Sequence, residues 1–236
     1  MTTKKEEAIT ECVKSLEEMA DLVLTQLTFL EKFMSLNDRS EISNILTKIE
    51  ENENKIDGYE VLISDQFINS IILYQPVASD IRKLNSVYRI SINLERIGDI
   101  VLNIIHSIEP IKETTEYEAM QDVLMNMLVS GVTMVEKSIL SFLNSDDSYA
   151  EWTIKNDEIV DEMNRKLLIN SLSRAKVNEK TREMLLSYMN LKNIITNMER
   201  IADHATNIAE SSIYSMQGTD IRHKGFGTPH SEKENI

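Results

Sequence analysis

Apolar residues recur along this chain at alternating spacings of three and four, the pattern of a helix that buries one face. Two stretches show this pattern most clearly. Their apolar positions are Val87, Ile90, Leu94, Ile97, Val101, Ile104 and Ile108 in the first stretch and Leu191, Ile194, Met198, Ile201, Ala205 and Ile208 in the second. The spacing is typical of the seam of a left-handed helical bundle. Each stretch therefore predicts a long bundle helix.

The same reading predicts six long helices, three in each half of the chain. In the first half they cover residues 5–36, 40–73 and 76–107, with Ser40 as the N-cap of the second helix and Pro76 in the first turn of the third. In the second half they cover residues 115–143, 148–175 and 178–216. We therefore predict an all-α fold of two tandem antiparallel three-helix bundles. The first covers residues 1–111, the second residues 112–217, and a disordered polar tail residues 218–236.

Two segments of the chain nearly repeat each other at a distance of 104 residues. Residues 93–104 and 197–208 are identical at seven of twelve positions. Each copy carries a Glu and an Asp four residues apart, Glu95 with Asp99 and Glu199 with Asp203. This spacing puts both carboxylates on one face of a helix. The repeat predicts two similar halves, each with its own carboxylate site.

A further carboxylate pair lies 42 residues before each of these pairs, Glu53 with Asp57 and Asp157 with Asp161. Because a short turn joins the two helices of each half, they pack antiparallel and bring the pairs to nearly the same height. The heptad phase points the third-helix acids away from the apolar seam. We therefore predict an outer groove of four carboxylates in each half, suited to a hard cation. Solvated surface acids that pair with Arg96 and Arg200 are the alternative.

Charge and composition narrow the class of protein. The net charge of −14 argues against a basic nucleic-acid-binding face. Cys12 is the only cysteine, which excludes an internal disulfide framework and a thiolate zinc site. The N-terminal segment carries no apolar signal region, and we expect no apolar run to reach the ~20 residues of a membrane span. We expect a cytoplasmic protein that reaches a membrane only through a partner.

The segments LERIGD at residues 94–99 and MERIADHATNIAE at residues 198–210 resemble the two signature helices of the PhoU family of phosphate-uptake regulators. VASDIR at residues 77–82 resembles another stretch typical of the family's first repeat. The resemblance covers about residues 8–216. It implies multinuclear metal clusters on the bundle surface, with iron, manganese, magnesium or zinc as candidates. The family's metal site maps onto Glu53, Asp57, Glu95, Asp99, Asp157, Asp161, Glu199 and Asp203.

The resemblance also implies a function. It points to negative regulation of phosphate import and phosphate-starvation signalling, through contact with the ATPase subunit of the phosphate ABC transporter and with a membrane sensor histidine kinase. We also expect a homodimer. Asp80 and Arg82 are candidate partner contacts, although the helix dipole also explains an Asp in a first turn. Ala202 replaces the signature glycine, and no Asp-x-Arg stretch recurs near residues 184–186, so we expect unequal halves.

Other classes of function stay open on the sequence. A metal-free helical scaffold or adaptor fits the same composition, and so does an accessory regulator of a different phosphate transporter. A ferritin-like di-iron oxidase needs Glu-x-x-His ligands inside the bundle, a pattern the chain lacks. The chain also lacks a Gly-rich phosphate loop, so we expect no enzymatic activity. We expect His204, next to Asp203, to be an ordinary surface histidine.

Overall fold

The computed structural model of the protein describes residues 3–36, 38–174 and 181–222, with side chains at all of these positions except 39, 163, 164, 166–174 and 181–183. The described chain is about 89% helical and contains no strand, which confirms the all-α prediction. Its seven helices are α1 (Lys4–Ser35), α2 (Arg39–Tyr74), α3 (Ala78–Ile108), α4 (Thr115–Glu118), α5 (Gln121–Asn144), α6 (Asp147–Arg174) and α7 (Thr181–Gln217).

Two helix starts in the first half differ from the prediction. Asp38 rather than Ser40 caps α2, because the Asp38 side chain accepts hydrogen bonds from the backbone amides of Ser40 and Glu41. Ser40 is therefore already helical. α3 begins at Ala78, so Pro76 lies before the helix and not in its first turn. Gln75 ends α2 in the left-handed conformation, with φ of 43°, and the chain turns there before α3 begins.

The helix predicted over residues 115–143 is split in two. Thr114 caps the single turn of α4 by accepting a hydrogen bond from the backbone amide of Tyr117. Tyr117 is buried, and α5 then begins at Gln121. The cap and the buried aromatic explain why the chain folds into a separate turn before the longer helix.

The helices form two three-helix bundles that share one core. α1, α2 and α3 pack together, as do α5, α6 and α7. α3 and α7 pack against each other and join the bundles, and α1 also contacts α5. Every residue of the two predicted apolar stripes is buried, and one hydrophobic cluster runs through both bundles. The two halves are thus related by the repeat but do not have separate cores.

The two repeated segments meet at the contact between α3 and α7. Ser86 Oγ donates a hydrogen bond of 2.8 Å to the carbonyl oxygen of Ser211, and His204 Nδ1 lies 2.9 Å from Asn93 Oδ1. Seven residues forward along α3 therefore correspond to seven residues back along α7, so the helices are antiparallel. This register places residues 93–99 opposite residues 198–204.

α5 is long and apolar enough to cross a membrane by length and composition alone, which corrects the expectation that no such run exists. About 44% of its most apolar window is buried inside the protein. Its buried residues include Leu124, Met127, Leu128, Met134 and Val135, all part of the shared core. A core helix of a bundle has the same composition, so the apolar run is weak evidence for a membrane span.

The first residues of the predicted tail lie against the bundles. Ile221 packs on a small cluster formed by Ala150, Ala209 and Ile213. Gly218 has φ of +71°, and a Cβ added there would lie 3.2 Å from Arg82 Nε. Residues 223–236 lie outside the described residues, so a disordered tail there stays a prediction.

Candidate metal centre

The second carboxylate set comes together between α6 and α7. One carboxylate oxygen from each of Asp157, Asp161 and Asp203 lies within 4.8 Å of the other two. Asp157 is half-buried, and the other two residues are exposed. Glu199 belongs to the same neighbourhood, because burial and then the charges of Asp161 and Asp203 raise its pKa. The structure thus brings together three of the four acids that the repeat predicts for this half, and the fourth, Glu199, interacts with two of them electrostatically.

The charged forms of these acids are disfavoured by their surroundings. Burial, followed by the charges of Asp203 and Asp161, raises the pKa of Asp157 to about 6. Burial and the charge of Asp161 also raise the pKa of Asp203. Crowded carboxylates with raised pKa values are stabilised by a proton or by a bound cation. The set therefore has the electrostatics of a cation site.

The first carboxylate set differs because Glu53 turns into the bundle. Glu53 is only 8% exposed, and its Oε2 accepts a hydrogen bond from Gln26 Nε2 of α1. Burial raises the pKa of Glu53 to about 7; the Gln26 hydrogen bond opposes this rise, and the charges of the neighbouring acids add to it. The predicted outer groove of four carboxylates is therefore wrong for Glu53.

Gly98 leaves the space that the Glu53 carboxyl group occupies. A Cβ added at Gly98 would lie 2.8 Å from Glu53 Oε2, closer than non-bonded atoms approach. Gln26 is held in turn by Asn52, whose Nδ2 donates a hydrogen bond of 2.9 Å to Gln26 Oε1 and one of 2.7 Å to the carbonyl oxygen of Leu22. The sequence signal for this network was Gln26, a polar residue on the mostly apolar buried face of α1. The argument from helix phase missed it.

The other three acids of the first set are more open but are partly neutralised. Asp57 is exposed, and Glu95 and Asp99 are half-buried. Arg96 Nε lies 3.4 Å from Glu95 Oε2, and Arg96 Nη1 lies 3.6 Å from Asp99 Oδ2. Burial raises the pKa of Glu95, and the Arg96 charge lowers it. These ion pairs match the alternative of surface acids paired with arginine.

His204 is not the surface histidine that we expected. It is half-buried where α3 meets α7, with its Nδ1 2.9 Å from Asn93 Oδ1. Burial, with the nearby charges of Arg200 and Arg96, lowers the pKa of His204 to about 4. The ring is therefore neutral at physiological pH and links the two halves.

The two candidate partner-contact residues have separate surroundings. Asp80 lies in the first turn of α3, and its Oδ2 is 2.7 Å from Lys5 Nζ of α1. Arg82 is half-buried beside Gly218. A partner contact at these two residues stays a prediction.

A family model described as the PhoU domain matches the chain twice, over residues 16–108 and 124–212. The chain belongs to the PhoU family. The first match covers most of α1 to α3, and the second covers most of α5 to α7. Each match therefore corresponds to one bundle and contains one complete carboxylate set.

Relatives of this PhoU-family chain are named for phosphate transport. It is 27% identical over 214 residues to a phosphate-specific transport system accessory protein PhoU homolog from Burkholderia sp, with 90% of this chain and 88% of that protein covered. It is 28% identical over 194 residues to PhoU homolog 1 of Thermotoga maritima, with 80% and 82% covered. These names describe accessory proteins and specify no reaction.

Two solved structures share the fold. The crystal structure of PhoU from Pseudomonas aeruginosa superposes with a TM-score of 0.81 at 23% identity and covers 90% of this chain and 99% of that one. The phosphate transport system regulatory protein PhoU from Streptococcus pneumoniae superposes with a TM-score of 0.72 at 21% identity, with 92% and 99% covered. At these identities the likeness shows that the fold is shared.

The donor set of this PhoU-family protein fits a hard metal ion. All of the candidate ligands are carboxylates, which such cations prefer. Within the described ranges, three carboxylate oxygens of the two sets are buried without a hydrogen-bond partner, namely Glu53 Oε1, Glu95 Oε2 and Asp157 Oδ1. A buried carboxylate oxygen left unpaired costs free energy unless a proton or a cation satisfies it. The second set fits best, because its carboxylates already converge.

Proposed function

We propose that this protein is the accessory regulator of a phosphate-specific transport system and that it acts as a negative regulator. In this proposal it works in the cytoplasm as a homodimer and restrains phosphate import by binding the transporter ATPase. It also restrains phosphate-starvation signalling by binding a membrane sensor histidine kinase. The observation that carries the proposal is the PhoU-domain match over both bundles, together with relatives named as accessory proteins of this transport system.

A bound metal is part of the proposal. Asp157, Asp161 and Asp203, with Glu199 beside them, would hold it, and iron, manganese, magnesium or zinc are the candidates. The metal would supply positive charge to an outer face of a protein whose net charge is −14. A ligand that binds only the folded state would also stabilise the contact between α6 and α7.

Affinity capture tests the partner assignment. The full chain is used as bait for membrane extract from cells grown with abundant phosphate. We expect the transporter ATPase and the sensor kinase among the captured proteins. Absence of both would contradict the proposed regulation.

A double substitution tests the candidate partner contact. Asp80→Ala plus Arg82→Ala should weaken capture of a partner without lowering the melting temperature by more than a few degrees, because a partly exposed ion pair such as that of Asp80 with Lys5 contributes ~0–1 kcal/mol. Lys5→Ala is the matched control, since it breaks the same ion pair with Asp80 and keeps both candidate residues. Equal capture by the double variant and the control would remove these residues from the interface.

Metal analysis separates this proposal from a metal-free adaptor, which the Arg96 ion pairs favour for the first half. Asp157→Asn plus Asp203→Asn should lower the metal content of the purified protein and weaken metal binding in a titration by about tenfold or more. Asp65→Asn plus Glu158→Gln is the control, because it removes two exposed acids outside the set. Unchanged binding in the first variant would leave the adaptor as the better description.

A further inference from the structure

A groove of about 640 Å³ brings the second carboxylate set together with two arginines. Asp157 and Asp203 line one part of it. Arg89 of α3 and Arg222, which follows α7, line another part. The groove therefore offers both signs of charge to a ligand. The carboxylates were predicted from the sequence, whereas the arginines belong to none of its motifs.

Arg89 is a half-buried cation without a direct partner. Among the residues that the structure describes, no hydrogen bond or salt bridge reaches its guanidinium group. Burial lowers the pKa of Arg89, and the positive charge of Arg222 lowers it further, whereas Asp220 and Glu210 act in the opposite direction. Withdrawing a charged group from water without pairing it costs free energy. Arg89 is thus placed where an anionic ligand would stabilise it.

Arg222 is held in position at the same groove. Its Nε donates hydrogen bonds of 2.9 and 3.1 Å to the two carboxylate oxygens of Asp220, and its Nη2 also bonds to Asp220. The positive charge of Arg222 lowers the pKa of Arg89, which means that the two guanidinium groups are close enough to repel each other. An anion between them would replace this repulsion with two attractions. Guanidinium groups match the oxygens of phosphate-class anions by paired hydrogen bonds.

The charge balance of the groove sets a condition on such an anion. The carboxylates at or beside the groove outnumber its two arginines, and they are Asp157, Asp203, Glu210 and Asp220. An anion alone would therefore enter negative surroundings. A divalent cation on Asp157 and Asp203 would offset two of these four negative charges, so the carboxylates would no longer outnumber the arginines.

We propose that this groove binds a phosphate-class oxyanion and that it does so only together with a divalent cation. The carboxylates hold the cation, and Arg89 and Arg222 hold the anion beside it. The inference rests on the metal binding of the proposed function and adds a second ligand to the same site. It makes the binding of the two ligands mutually favourable.

The repeat provides no second copy of this site. The offset of 104 residues takes Arg89 to Asn193, and it takes Glu210 back to His106. Arg89 belongs to the first half, and it reaches the carboxylates of the second half because α3 packs against α7. We therefore expect one oxyanion site in each chain.

Calorimetric titration of the full-length protein tests the inference. Inorganic phosphate is titrated in the presence of saturating Mg²⁺ and again with EDTA, and Mg²⁺ is titrated alone. We expect phosphate to bind only when Mg²⁺ is present. Arg89→Ala and Arg222→Ala should each weaken phosphate binding by about tenfold or more and leave Mg²⁺ binding within about twofold. Lys83→Ala, an exposed cation on α3, should change neither.

A second titration identifies the source of the anion. Glycerol phosphate is used in place of inorganic phosphate on the Mg²⁺-loaded protein. Tighter binding of inorganic phosphate supports the free ion, and tighter binding of the ester supports a phosphoryl group on a larger ligand. With either anion, the inference also requires that Arg89→Ala and Arg222→Ala weaken the binding of that anion.

The negative outcomes are distinguishable. Failure of Mg²⁺-loaded protein to bind either anion, or unchanged binding in both arginine variants, overturns the oxyanion site and leaves the metal proposal in place. Failure of Mg²⁺, Mn²⁺, Fe²⁺ and Zn²⁺ to bind at all overturns the metal proposal, and the oxyanion site falls with it. Arg222→Ala keeps the test decisive if Arg89→Ala melts at a lower temperature than the wild-type protein.

Discussion

The two carboxylate sets come from one repeat, yet they present their acids differently. In the first half, Glu53 passes beside Gly98 to reach Gln26 and is 8% exposed. At the equivalent positions of the second half, Asp157 is one methylene shorter and Ala202 carries a methyl group. Asp157 stays within 4.8 Å of Asp161 and Asp203. Two small exchanges thus decide whether a carboxylate belongs to the core or to the surface cluster.

The arginine of each signature segment adds to this difference. Arg96 forms ion pairs of 3.4 and 3.6 Å with Glu95 and Asp99. The charge of Arg200 lowers the pKa of Asp203, but no salt bridge joins the two in the described part of the chain. The second set therefore keeps more of its negative charge for a cation. We infer that two copies of one motif have come to serve different purposes, one structural and one for binding.

The largest effect is expected at Glu53. Its pKa in the folded protein is about 7, above the ordinary value of 4.5, so ionisation of Glu53 destabilises the folded state. This destabilisation is absent below the ordinary value and grows as the pH rises through about 7. Glu53→Gln should therefore raise the free energy of unfolding by about 1–3 kcal/mol at a pH of about 8 and by much less at about 5.

Chemical denaturation at both pH values measures this change. Glu51→Gln is the matched control, because Glu51 is exposed on the same helix. An equal gain for Glu53→Gln at both pH values would show that its carboxyl group is not a buried acid with a raised pKa.

The next effect compares cation binding by the two sets. Asp57 and Asp161 are exposed and equivalent in the repeat. Asp161→Asn should weaken metal binding by about tenfold, because its carboxylate is part of the convergent group, whereas Asp57→Asn should weaken it by less than about threefold. Metal titration of the two variants measures the difference. Equal losses would mean that both halves bind the cation alike.

Gly98→Ala should make the first set resemble the second. The added methyl group pushes the Glu53 carboxyl group out of the core towards solvent. Because burial is the largest cause of its raised pKa, the pKa of Glu53 should fall by about one unit. Stability should change by less than about 1 kcal/mol, because the helix preference of Ala offsets the lost hydrogen bond. NMR titration of the carboxyl carbons measures the pKa.

Gly58→Ala is the control for this substitution. A Cβ at Gly58 meets no atom within 4 Å, so the variant should gain about 0.5–1 kcal/mol of stability from helix preference alone. It should leave the pKa of Glu53 unchanged. A Glu53 pKa that stays near 7 in Gly98→Ala would contradict the role given to the glycine.

A comparably small effect is expected where the halves meet. Asn93→Ala removes the partner of His204 and should lower the free energy of unfolding by about 0.5–1.5 kcal/mol. Asn197→Ala, at the equivalent position of the other half, should lower the free energy of unfolding by a smaller amount. Thermal unfolding of the two variants makes the comparison. Equal losses would indicate that the His204 contact contributes nothing specific.

Much of the fold could be predicted because helices and repeats are local features. The alternating spacing of three and four residues between apolar positions predicted that Leu94 and Met198 lie in the core, and both are buried in the structure. The helix ends were less predictable, since Asp38 and Ser40 are both good capping residues and only the backbone geometry selects between them. The split at α4 depends on the burial of Tyr117, which no local pattern reports.

The sequence by itself determined the helices, the internal repeat, the family and the spacing of the carboxylate pairs, because each depends on residue type and distance along the chain. Only the tertiary structure decided which acids share a surface. Gln26 of α1 draws Glu53 into the core, and the packing of α3 on α7 brings Arg89 to the carboxylates of the other half. These contacts join residues that are far apart in the chain. The burial of the acids and the repulsion between them depend on surrounding atoms from other helices, which the spacing of residues along one helix does not describe.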